Sequence, residues 1–358
     1  MASNLFTFAL GGNIYTVDWD KIIRYGGAAV SLLAASGFLY NKLHTPPGKR
    51  QVKDQCVLIT GCDSGFGKMT ALRLVKQGYV VFAGCLDKVK VAKDNDFKVQ
   101  SGKLKLLQMD VTDRQQIEDA VKLVDSFLDA NKQMVFKAIV NNAGIFYLGE
   151  TELMPSDMTM HMMKVNYMGV VNTTNAFLPV LRRSDAEKSK PRVVVLASAA
   201  GLMSLPSFSG YCASKAAVLQ WSNGLRFDIA RFGIQVSSIC PDFHATEMVV
   251  NVDVNKAKCD SMLEKMNSRA LTAYGGRDAI RKQMMTMVEL FPKFANRNCQ
   301  PVVDALCDAV ANDKPRMVYV IVNPLHTVLL GIGTFFPAFA AWVVQKMYLM
   351  QNLSQQLQ

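Results

Sequence analysis

The chain has 358 residues, which suffices for one large α/β domain with terminal additions, so a second independent core is not required. Half of the residues are hydrophobic, which argues against a disordered chain and indicates that some apolar surface meets lipid or an apolar ligand. The formal net charge of +11 fits an anionic membrane or an anionic cofactor, whereas nucleic acid is disfavoured because no arginine-rich or aromatic-basic stripe is present.

An uncharged run near the start of the chain predicts a membrane anchor. Residues 25–40 carry no charge, and Ile22 and Ile23 extend this run toward the length that a membrane-spanning helix needs. The flank before the run is mixed, with Asp18, Asp20, Lys21 and Arg24, whereas the flank after it is only basic until Asp54, so the positive-inside rule leaves the main domain on the cytosolic side. We therefore predict an N-terminal segment of residues 1–48 with an anchor at about residues 22–40.

Two other interpretations of this run remain open, which are a buried or interfacial helix and a targeting signal. A cleaved signal peptide is disfavoured because the run begins more than 20 residues into the chain and no tidy cleavage site precedes the basic flank. Asp18 and Asp20 argue against a mitochondrial transit peptide. The expected location is the endoplasmic reticulum membrane, with the main domain facing the cytosol and a mitochondrial membrane as the less favoured alternative.

The middle of the chain alternates between short β-rich apolar runs and helical patterns. This alternation is typical of a parallel sheet wrapped by helices. The predicted strands are Cys56–Thr60, Val80–Cys85, Leu104–Met109, Ala138–Asn141, Arg192–Ala197, Gln235–Cys240 and Met317–Val322. Seven parallel strands fit the α/β class and a doubly wound Rossmann fold, which we predict over residues 49–322.

A glycine-rich motif, TGCDSGFG, follows the first predicted strand and leads into a helical segment that extends to Lys76. Its candidate contact residues are Thr60, Gly61, Ser64, Gly65, Phe66 and Gly67. Glycines let the backbone approach a pyrophosphate, which the free N–H groups and the dipole of a helix N-terminus attract. A bare structural turn is the alternative, but the strand before the motif and the helix after it favour dinucleotide binding.

Asp87 stands 20 residues beyond Gly67, where a dinucleotide-binding fold recognises the adenosine ribose. A carboxylate accepts hydrogen bonds from the ribose hydroxyls but repels a 2′-phosphate, so NAD is favoured over NADP. Lys88 and Lys90 temper this preference, because either side chain could swing toward a phosphate. A solvated turn carboxylate is the alternative role of Asp87.

Further motifs follow in a fixed order and point to one family. They are Asp110-Val111-Thr112, Asn141-Asn142-Ala143-Gly144, Asn166, Ser198 and Tyr211-x-x-x-Lys215. Together with the glycine-rich motif, this series resembles the short-chain dehydrogenases/reductases in order and spacing, over roughly residues 53–322. The motif Cys-Asp-Ser-Gly-Phe-Gly, together with Tyr274-Gly275 and Pro315-Arg316, resembles the motifs of one branch of this family. That branch contains the retinol, 17β- and 11β-hydroxysteroid, and 3-hydroxybutyrate dehydrogenases.

Four residues are the candidates for proton transfer. A hydride that moves between an alcohol carbon and nicotinamide requires a proton to move on or off the oxygen. Tyr211 and Lys215 share a helix face, so the ammonium is expected to stabilise the phenolate and lower its pKa from the usual value of about 10. The resemblance implies that Ser198 hydrogen-bonds the reacting oxygen, that Lys215 also holds the nicotinamide ribose, and that Asn166 supports a proton relay. Taken alone, these residues also fit a surface pair, a cap and a polar helix position.

The resemblance assigns further residues to the cofactor, which are Asp110, Val111, Asn142, Ala143, Gly144, Pro241 and Thr246. It implies that Asp110 holds the amino edge of the adenine and that Thr246 bonds the nicotinamide carboxamide. The alternative role of Asp110 is a strand-end cap for the helix that begins near Asp113.

One position departs from the family pattern. Asp242 follows Pro241, where the family usually has a glycine whose backbone passes near the nicotinamide. We therefore expect the carboxylate to affect the placement of the ring or the approach of the substrate. His244 is a candidate to face the substrate, although a loop histidine without a partner is more often incidental.

The expected substrate lid covers about residues 242–294 and is rich in methionine, namely Met248, Met262, Met266, Met284, Met285 and Met287. Flexible thioethers adapt to bulky apolar ligands, but they also serve as ordinary helix-core residues. The lid therefore supports a hydrophobic substrate only mildly.

The C-terminal segment, residues 323–358, is apolar as well. Pro324 and Pro337 interrupt its uncharged run over residues 325–344. A spanning helix is one interpretation. A proline-broken pair of short helices that lies in the membrane interface or caps the substrate pocket is the other.

These features predict an NAD(H)-dependent oxidoreductase that interconverts an alcohol and its carbonyl on a hydrophobic substrate of steroid or retinoid type. A 3-hydroxybutyrate dehydrogenase is an alternative, in which Arg269, Arg277 or Arg281 clamps the small carboxylate. A membrane-tethered scaffold that binds cofactor but has lost turnover through Asp242 is a third hypothesis. A homodimer is also considered, and no nucleic acid partner is expected.

The cysteines and histidines indicate neither a disulfide framework nor a metal site. Eight cysteines are scattered without a C-x-x-C pair, and several, such as Cys56 and Cys240, fall inside apolar runs. This pattern favours reduced core thiols in a domain that faces the cytosol. The four histidines show no metal-ligand spacing, so no metal is expected.

Overall fold

The computed structural model describes residues 5–10, 13–18, 52–98, 102–183 and 189–323. The predicted anchor at residues 22–40 and the apolar run at residues 325–344 lie outside this part of the chain. Within the described part, no helix combines the length and the apolarity that a membrane crossing requires.

A short hairpin precedes the main domain. Its strands are β1 (Leu5–Leu10) and β2 (Asn13–Asp18), which pair antiparallel with Leu10 opposite Asn13. The hairpin belongs to a compact unit separate from the main sheet. The sequence pattern did not predict these strands.

The main sheet has seven parallel strands in the described chain. They are β3 (Gln55–Thr60), β4 (Val80–Cys85), β5 (Leu104–Gln108), β6 (Val135–Asn141), β7 (Arg192–Leu196), β8 (Gln235–Pro241) and β9 (Val318–Ile321). Their order across the sheet is β5-β4-β3-β6-β7-β8-β9, and every pair of neighbours is parallel. The predicted Rossmann sheet is therefore confirmed, with strand bounds that differ from the predicted ones by at most three residues.

The α-helices of the main domain are α1 (Gly65–Lys76), α2 (Lys88–Val91), α3 (Asn95–Lys98), α4 (Arg114–Ala130), α5 (Ser156–Met163), α6 (Gly169–Arg183), α7 (Ser209–Asp228), α8 (Glu247–Val250), α9 (Val252–Lys265), α10 (Ser268–Ala273), α11 (Arg277–Phe294) and α12 (Gln300–Ala311). The predicted helix that ends at Lys76 is thus confirmed as α1. A five-residue π-helical turn, Lys164–Met168, joins α5 to α6.

Helices cover both faces of the sheet, which explains why its strands are continuous apolar runs. Along β3, Val57 and Ile59 point to one face, where α1 and α12 complete the core. Cys56 and Leu58 point to the other face, where α4, α6 and α7 pack. Because helices shield both faces from solvent, every residue of β3 from Cys56 to Thr60 is buried.

The order of the strands creates a crevice at one edge of the sheet. The chain runs outward from β3 to β4 and β5, then returns to pair β6 on the opposite side of β3. Loops that leave β3 and β6 therefore diverge at the carboxyl ends of these strands. In open α/β sheets, ligands bind at such a switch point.

The four helices α8 to α11 form a separate layer with its own small core. Leu263 of α9 and Ile280 of α11 are buried in it, together with Met262, Met266 and Met284. Met248 and Met287 instead contact an aromatic cluster around Tyr211. The methionines of the predicted lid thus divide between the core of the lid and the aromatic cluster.

The cysteines lie where the sequence predicted them. All eight are free, and all except Cys299 are buried. Cys56 on β3 and Cys240 on β8 are fully covered, and burial raises the pKa of each thiol to about 12. Both are therefore core thiols of low reactivity.

Two buried basic side chains bind backbone carbonyls at the amino-terminal end of the sheet, opposite the crevice. Lys137 on β6 donates from Nζ to the carbonyl oxygen of Lys190 at 3.0 Å. Arg192 at the start of β7 donates from Nη2 to the carbonyl oxygen of Asn312 at 2.8 Å. Burial lowers the pKa of Lys137 to about 7. These bonds satisfy backbone carbonyls where the chain enters β7 and leaves α12.

Candidate active site

Four predicted residues meet at the carboxyl end of the sheet. Ser198 follows β7, Tyr211 and Lys215 lie on α7, and Asn166 lies on the π-helical turn between α5 and α6. Asn166 and Lys215 are 1% and 4% exposed, so their polar groups depend on protein partners. The structure thus gathers side chains that are up to 49 residues apart in the sequence, because Asn166 and Lys215 belong to helices that pack on each other.

Ser198 holds its hydroxyl between two loops and the tyrosine. Its Oγ accepts a hydrogen bond from the backbone N–H of Ala200 at 3.1 Å and lies 3.4 Å from the carbonyl oxygen of Pro241. A hydrogen bond from Ser198 acts to lower the pKa of Tyr211, but burial is the larger influence and raises that pKa to about 12. At neutral pH the phenol of this chain is therefore protonated.

Lys215 lies beside the tyrosine without bonding it directly. Its Nζ donates to the carbonyl oxygen of Leu196 at 2.9 Å and lies 5.8 Å from the centroid of the Tyr211 ring. Burial lowers the pKa of Lys215 to about 8. The expected lowering of the phenol pKa by this ammonium is not found in the chain by itself, because loss of solvation outweighs the attraction at this distance.

Asn166 acts as a clamp on the backbone. Its Oδ1 accepts from the N–H of Ile145 at 2.8 Å, and its Nδ2 donates to the carbonyl oxygen of Ile145 at 2.9 Å and to Oγ of Ser214 at 3.0 Å. Ser214 in turn donates to the carbonyl oxygen of Tyr211 at 2.8 Å. Ser214 was not predicted, although its position three residues after Tyr211 on one helix is a usable signal. A Cβ on Gly144 would meet Oδ1 of Asn166 at 3.3 Å.

The glycine loop is held against the loop after β6. Oγ1 of Thr60 accepts from the backbone N–H groups of Asn142 and Ala143, each at 3.0 Å. The side-chain amide of Asn142 donates to the carbonyl oxygen of Gly61 at 2.8 Å. Gly61 has a φ of +67°, and a Cβ there would lie 2.7 Å from Cα of Ala143. Only glycine fits this close approach of two backbones.

The start of α1 has the features of an anion site. Ser64, at the N-cap, makes no side-chain bond to the first turn, so the end of the helix is not closed by its own cap. Gly65 has a φ of +58°, and a Cβ at this position would contact the side chain of Thr246. A glycine-rich loop that leads into an uncapped helix N-terminus at a switch point fits the pyrophosphate of a dinucleotide.

Asp87 lies at the end of β4, near the glycine loop. Its backbone N–H donates to Oδ1 of Asp63 at 2.9 Å, and its own Oδ1 accepts from the N–H of Lys90 at 2.9 Å. The carboxylate is exposed and caps the first turn of α2. Asp63, which also accepts from the N–H of Leu86 at 3.0 Å, was not predicted. It connects the glycine loop to the segment that carries Asp87.

In the segment after β5, Asp110 and Asp113 make different hydrogen bonds. Oδ1 of Asp110 accepts from the backbone N–H and the hydroxyl of Thr112, both at 2.8 Å. The N-cap of α4 is Asp113, so the alternative role of Asp110 as that cap is wrong. Val111 is buried against Gly169. Asp110 therefore stabilises a turn at the same edge of the sheet as the glycine loop.

The loop after β8 buries the unusual aspartate. Oδ2 of Asp242 accepts from the backbone N–H of Asn323 at 2.8 Å, and Oδ1 lies 3.4 Å from Nδ1 of His244. The Asp242 side chain is 6% exposed. Its carboxylate is thus directed to the segment after β9 and to a histidine of its own loop.

His244 links this loop to the glycine loop. It is buried, and its ring packs edge-on against Phe66 with a centroid separation of 5.6 Å. Its Nε2 has no hydrogen-bond partner among the described residues. The carbonyl oxygen of His244 accepts from the N–H of Thr246 at 2.8 Å. The histidine ring therefore packs inside the protein, and its backbone carbonyl holds the N–H of Thr246 in the same loop.

An apolar pocket lies beside the tyrosine, under the lid helices. Its main apolar lining is Phe146, Tyr147, Leu148, Phe243, Met262 and Phe291. The Phe146 ring packs edge-on against Tyr211 at 5.4 Å, and Phe243 contacts Phe291 at 5.1 Å. An aromatic wall thus continues from the reactive phenol into the pocket.

A family model described as short chain dehydrogenase matches residues 55–257. Estradiol 17-beta-dehydrogenase 2 of Mus musculus is 34% identical over 270 residues, which cover 75% of this chain and 68% of the relative. D-beta-hydroxybutyrate dehydrogenase, mitochondrial, of Bos taurus is 30% identical over 326 residues, covering 88% and 91%. The human (Homo sapiens) 11-beta-hydroxysteroid dehydrogenase type 2 is 32% identical over 313 residues, covering 82% and 75%.

Solved structures share the fold. A short chain dehydrogenase/reductase from Burkholderia phymatum, solved in complex with NAD, aligns with a TM-score of 0.59 and 23% identity over 78% of this chain and 92% of that chain. A short-chain dehydrogenase from Streptomyces avermitilis aligns with a TM-score of 0.58 and 20% identity over 85% and 99%.

Proposed function

The chain belongs to the short-chain dehydrogenase family, and on that premise we propose that it interconverts a hydrophobic alcohol and its carbonyl compound with NAD(H). It is an oxidoreductase that acts on CH–OH groups, and its relatives are of the hydroxysteroid and 3-hydroxybutyrate branch that the motifs resemble. The proposal concerns the substrate class and the cofactor.

The observation that supports a hydrophobic substrate is the aromatic pocket next to Tyr211. Phe146 both contacts the Tyr211 ring and lines the pocket, so a ligand in the pocket would place one end at the phenol. Aromatic walls of this kind favour the flat, apolar body of a steroid-type or retinoid-type molecule.

The residues of the site have distinct roles in the proposed reaction. When bound, the nicotinamide exchanges a hydride with the substrate carbon. Ser198 and Tyr211 hold the substrate oxygen, and Tyr211 donates a proton during carbonyl reduction or, as phenolate, accepts one during alcohol oxidation. Lys215, with a pKa of about 8, exchanges protons readily near neutral pH. Asn166 fixes the backbone of residue 145 behind them.

For alcohol oxidation the phenolate must be populated, which a pKa of about 12 opposes at neutral pH. Any positive charge added near Tyr211 lowers that pKa. The ammonium of Lys215 is placed to contribute such a charge, since its Nζ lies 5.8 Å from the centroid of the Tyr211 ring. The chain alone therefore favours the proton donor that carbonyl reduction needs.

The proposed cofactor residues lie along the edge of the sheet from α1 to the loop after β8. We propose that the glycine loop binds the pyrophosphate, that Asp110 and Val111 lie at the adenine, and that Asp87 bonds the adenosine ribose. The loop of Asn142, Ala143 and Gly144 passes close to the cofactor, and Pro241 and Thr246 adjoin the nicotinamide.

A substrate panel tests the proposed function. Purified enzyme is expected to oxidise at least one lipophilic alcohol among estradiol, a corticosteroid and retinol, with NAD as the better cofactor, because the pocket is apolar and Asp87 disfavours a 2′-phosphate. The measurement is NADH or NADPH formation at varied alcohol concentration. Turnover of 3-hydroxybutyrate alone would contradict the hydrophobic substrate class.

Replacement of Asp87 tests the cofactor preference. Asp87→Ser removes the carboxylate that repels a 2′-phosphate, so the ratio of kcat/KM for NAD to that for NADP is expected to fall at least about tenfold. The matched control is Asp119→Asn on α4, which removes an equal charge from an exposed carboxylate paired with Lys122. An unchanged ratio in Asp87→Ser would rule out this residue as the source of selectivity.

The alternative hypothesis, a 3-hydroxybutyrate dehydrogenase, requires a cation in the lid that binds the substrate carboxylate. Arg277 donates to the carbonyl oxygen of Leu263 at 3.0 Å, and Arg281 pairs with Asp260 at 2.8 Å. Arg269 is exposed on α10. None of the three lines the pocket. These three arginines are therefore not placed to clamp a small carboxylate in this pocket. Membership of a dehydrogenase family favours an enzyme over a cofactor-binding scaffold.

We propose further that residues 1–48 attach the enzyme to a membrane through residues 22–40, with the dehydrogenase domain at 49–322 and an apolar C-terminal segment at 323–358. The uncharged run and its basic flank support the anchor. A lipophilic substrate supports it as well, because such a molecule partitions into the bilayer. The endoplasmic reticulum with a cytosol-facing domain is the proposed location.

A further inference from the structure

A single lysine lines the apolar pocket. Lys258 lies on α9, half-buried, and apart from Asn255 the other lining residues are apolar or aromatic. Its Nζ lies 5.7 Å from the centroid of the Tyr147 ring and 3.4 Å from the carbonyl oxygen of Phe146. The second distance is at the outer limit of a hydrogen bond, so this contact satisfies little of the ammonium.

Lys258 forms no ion pair within the described chain, unlike its neighbours on α9. Lys256 pairs with Glu289 at 2.6 Å, and Lys265 pairs with Asp157 at 2.7 Å. Burial opposes the charged ammonium and lowers the pKa of Lys258 below its usual value. A half-buried cation without a counter-ion is unfavourable, and an arriving carboxylate would offset part of that cost.

The lysine and the reactive phenol lie on two sides of the same residue. The backbone carbonyl of Phe146 faces Nζ of Lys258, whereas the ring of Phe146 packs against Tyr211. Between the two polar groups the pocket wall is aromatic. A ligand that reaches both groups must therefore have an oxygen at one end, an anion at the other and an apolar body between them.

We propose, building on the function proposed above, that the substrate is an apolar hydroxy acid or the corresponding keto acid, with its carboxylate paired to Lys258 and its reacting oxygen at Tyr211. A neutral steroid alcohol leaves the ammonium unpaired. A four-carbon acid lacks an apolar body that would contact the aromatic lining between the two groups. Lys258 is then a specificity-determining residue that sequence patterns alone did not single out.

Acid and ester pairs that differ only in charge test this inference. The probes are 12-hydroxyoctadecanoate and 3α-hydroxy-5β-cholan-24-oate, each beside its methyl ester, with estradiol as a neutral reference. The variants are Lys258→Met and Lys258→Arg. The matched control is Lys256→Met, which removes the same charge from the same helix outside the pocket. The readouts are kcat/KM and calorimetric binding to the enzyme saturated with NADH.

Wild-type enzyme is expected to prefer at least one acid over its ester by about tenfold or more, as a charge-assisted pair in an apolar site provides. Lys258→Met is expected to abolish this preference, Lys258→Arg to retain part of it, and Lys256→Met to leave it as in the wild type. A preference that persists in Lys258→Met, or is absent from the wild type, would overturn the inference.

The binding readout separates this inference from the proposed function. Turnover of estradiol with no acid preference in either readout would leave the proposed function standing and reject the role of Lys258. Conversely, acid binding that depends on Lys258 without turnover of any alcohol would support the anion site and reject the proposed function.

Discussion

Replacing Tyr211 with phenylalanine is expected to lower kcat by about a hundredfold to ten-thousandfold, the range that a general acid or base contributes. The hydroxyl is the only part removed, and the ring that packs against Phe146 at 5.4 Å remains. The fold and the pocket should therefore persist. The measurement is the initial rate of NADH formation with the best alcohol from the substrate panel, together with an NADH binding titration.

The matched control for this change is Tyr167→Phe. Tyr167 lies on the same π-helical turn as Asn166, but its ring packs against the core between the sheet and helices α4, α6 and α7 rather than at the pocket. Removing its hydroxyl is expected to leave the rate close to that of the wild type. Wild-type activity in Tyr211→Phe would refute the proposed proton transfer, and equal losses in both variants would indicate general damage to the helix packing.

Replacing Gly67 with alanine is expected to abolish tight cofactor binding and to destabilise the fold. A Cβ at this position would come closer to the carbonyl oxygen of Gly61 and the amide of Asn142 than real Cβ atoms approach other atoms. Both neighbours are held, since Asn142 bonds the backbone of Thr60 and Gly61. We expect a loss of about 1–3 kcal/mol in the free energy of unfolding, as overpacking usually costs.

The control for this second change is Gly224→Ala. Gly224 lies in α7, and a Cβ there meets nothing within 4 Å. Because alanine favours a helix over glycine, this variant is expected to gain up to about 1 kcal/mol. Urea unfolding measures stability, and NADH fluorescence measures binding. If Gly67→Ala bound NADH as tightly as the wild type, the loop would not be the pyrophosphate site.

The departure from the family at Asp242 gains a structural explanation. The carboxylate is directed to the N–H of Asn323 and to His244, and His244 packs on Phe66 of the glycine loop. The aspartate thus connects the segments that follow β8 and β9, where the nicotinamide is proposed to bind. This arrangement fits a positioning role in an active enzyme, and it weakens the scaffold hypothesis that rested on Asp242.

The sequence by itself predicted the fold and the order of the candidate site residues along the chain. Strands buried on both faces must be continuous apolar runs, so the alternation of such runs with helices predicted all seven strands of the main sheet. Glycines at the end of β3 and a Tyr-x-x-x-Lys pair on one helix are local features with fixed spacing. The relevant constraints therefore lie within a few residues of each other.

Only the tertiary structure decided the environment of those residues. The pKa of Tyr211 depends on burial, which many distant residues create, and it rises where the helix spacing predicted a lowering. Lys258 meets the carbonyl of Phe146 across 112 residues of sequence, and Asp242 meets Asn323 across 81. Neither contact has a periodic signal, because such pairings arise from how packed elements bring loops together. The sequence therefore indicated which groups are candidates for the chemistry, and packing determined the surroundings in which they lie.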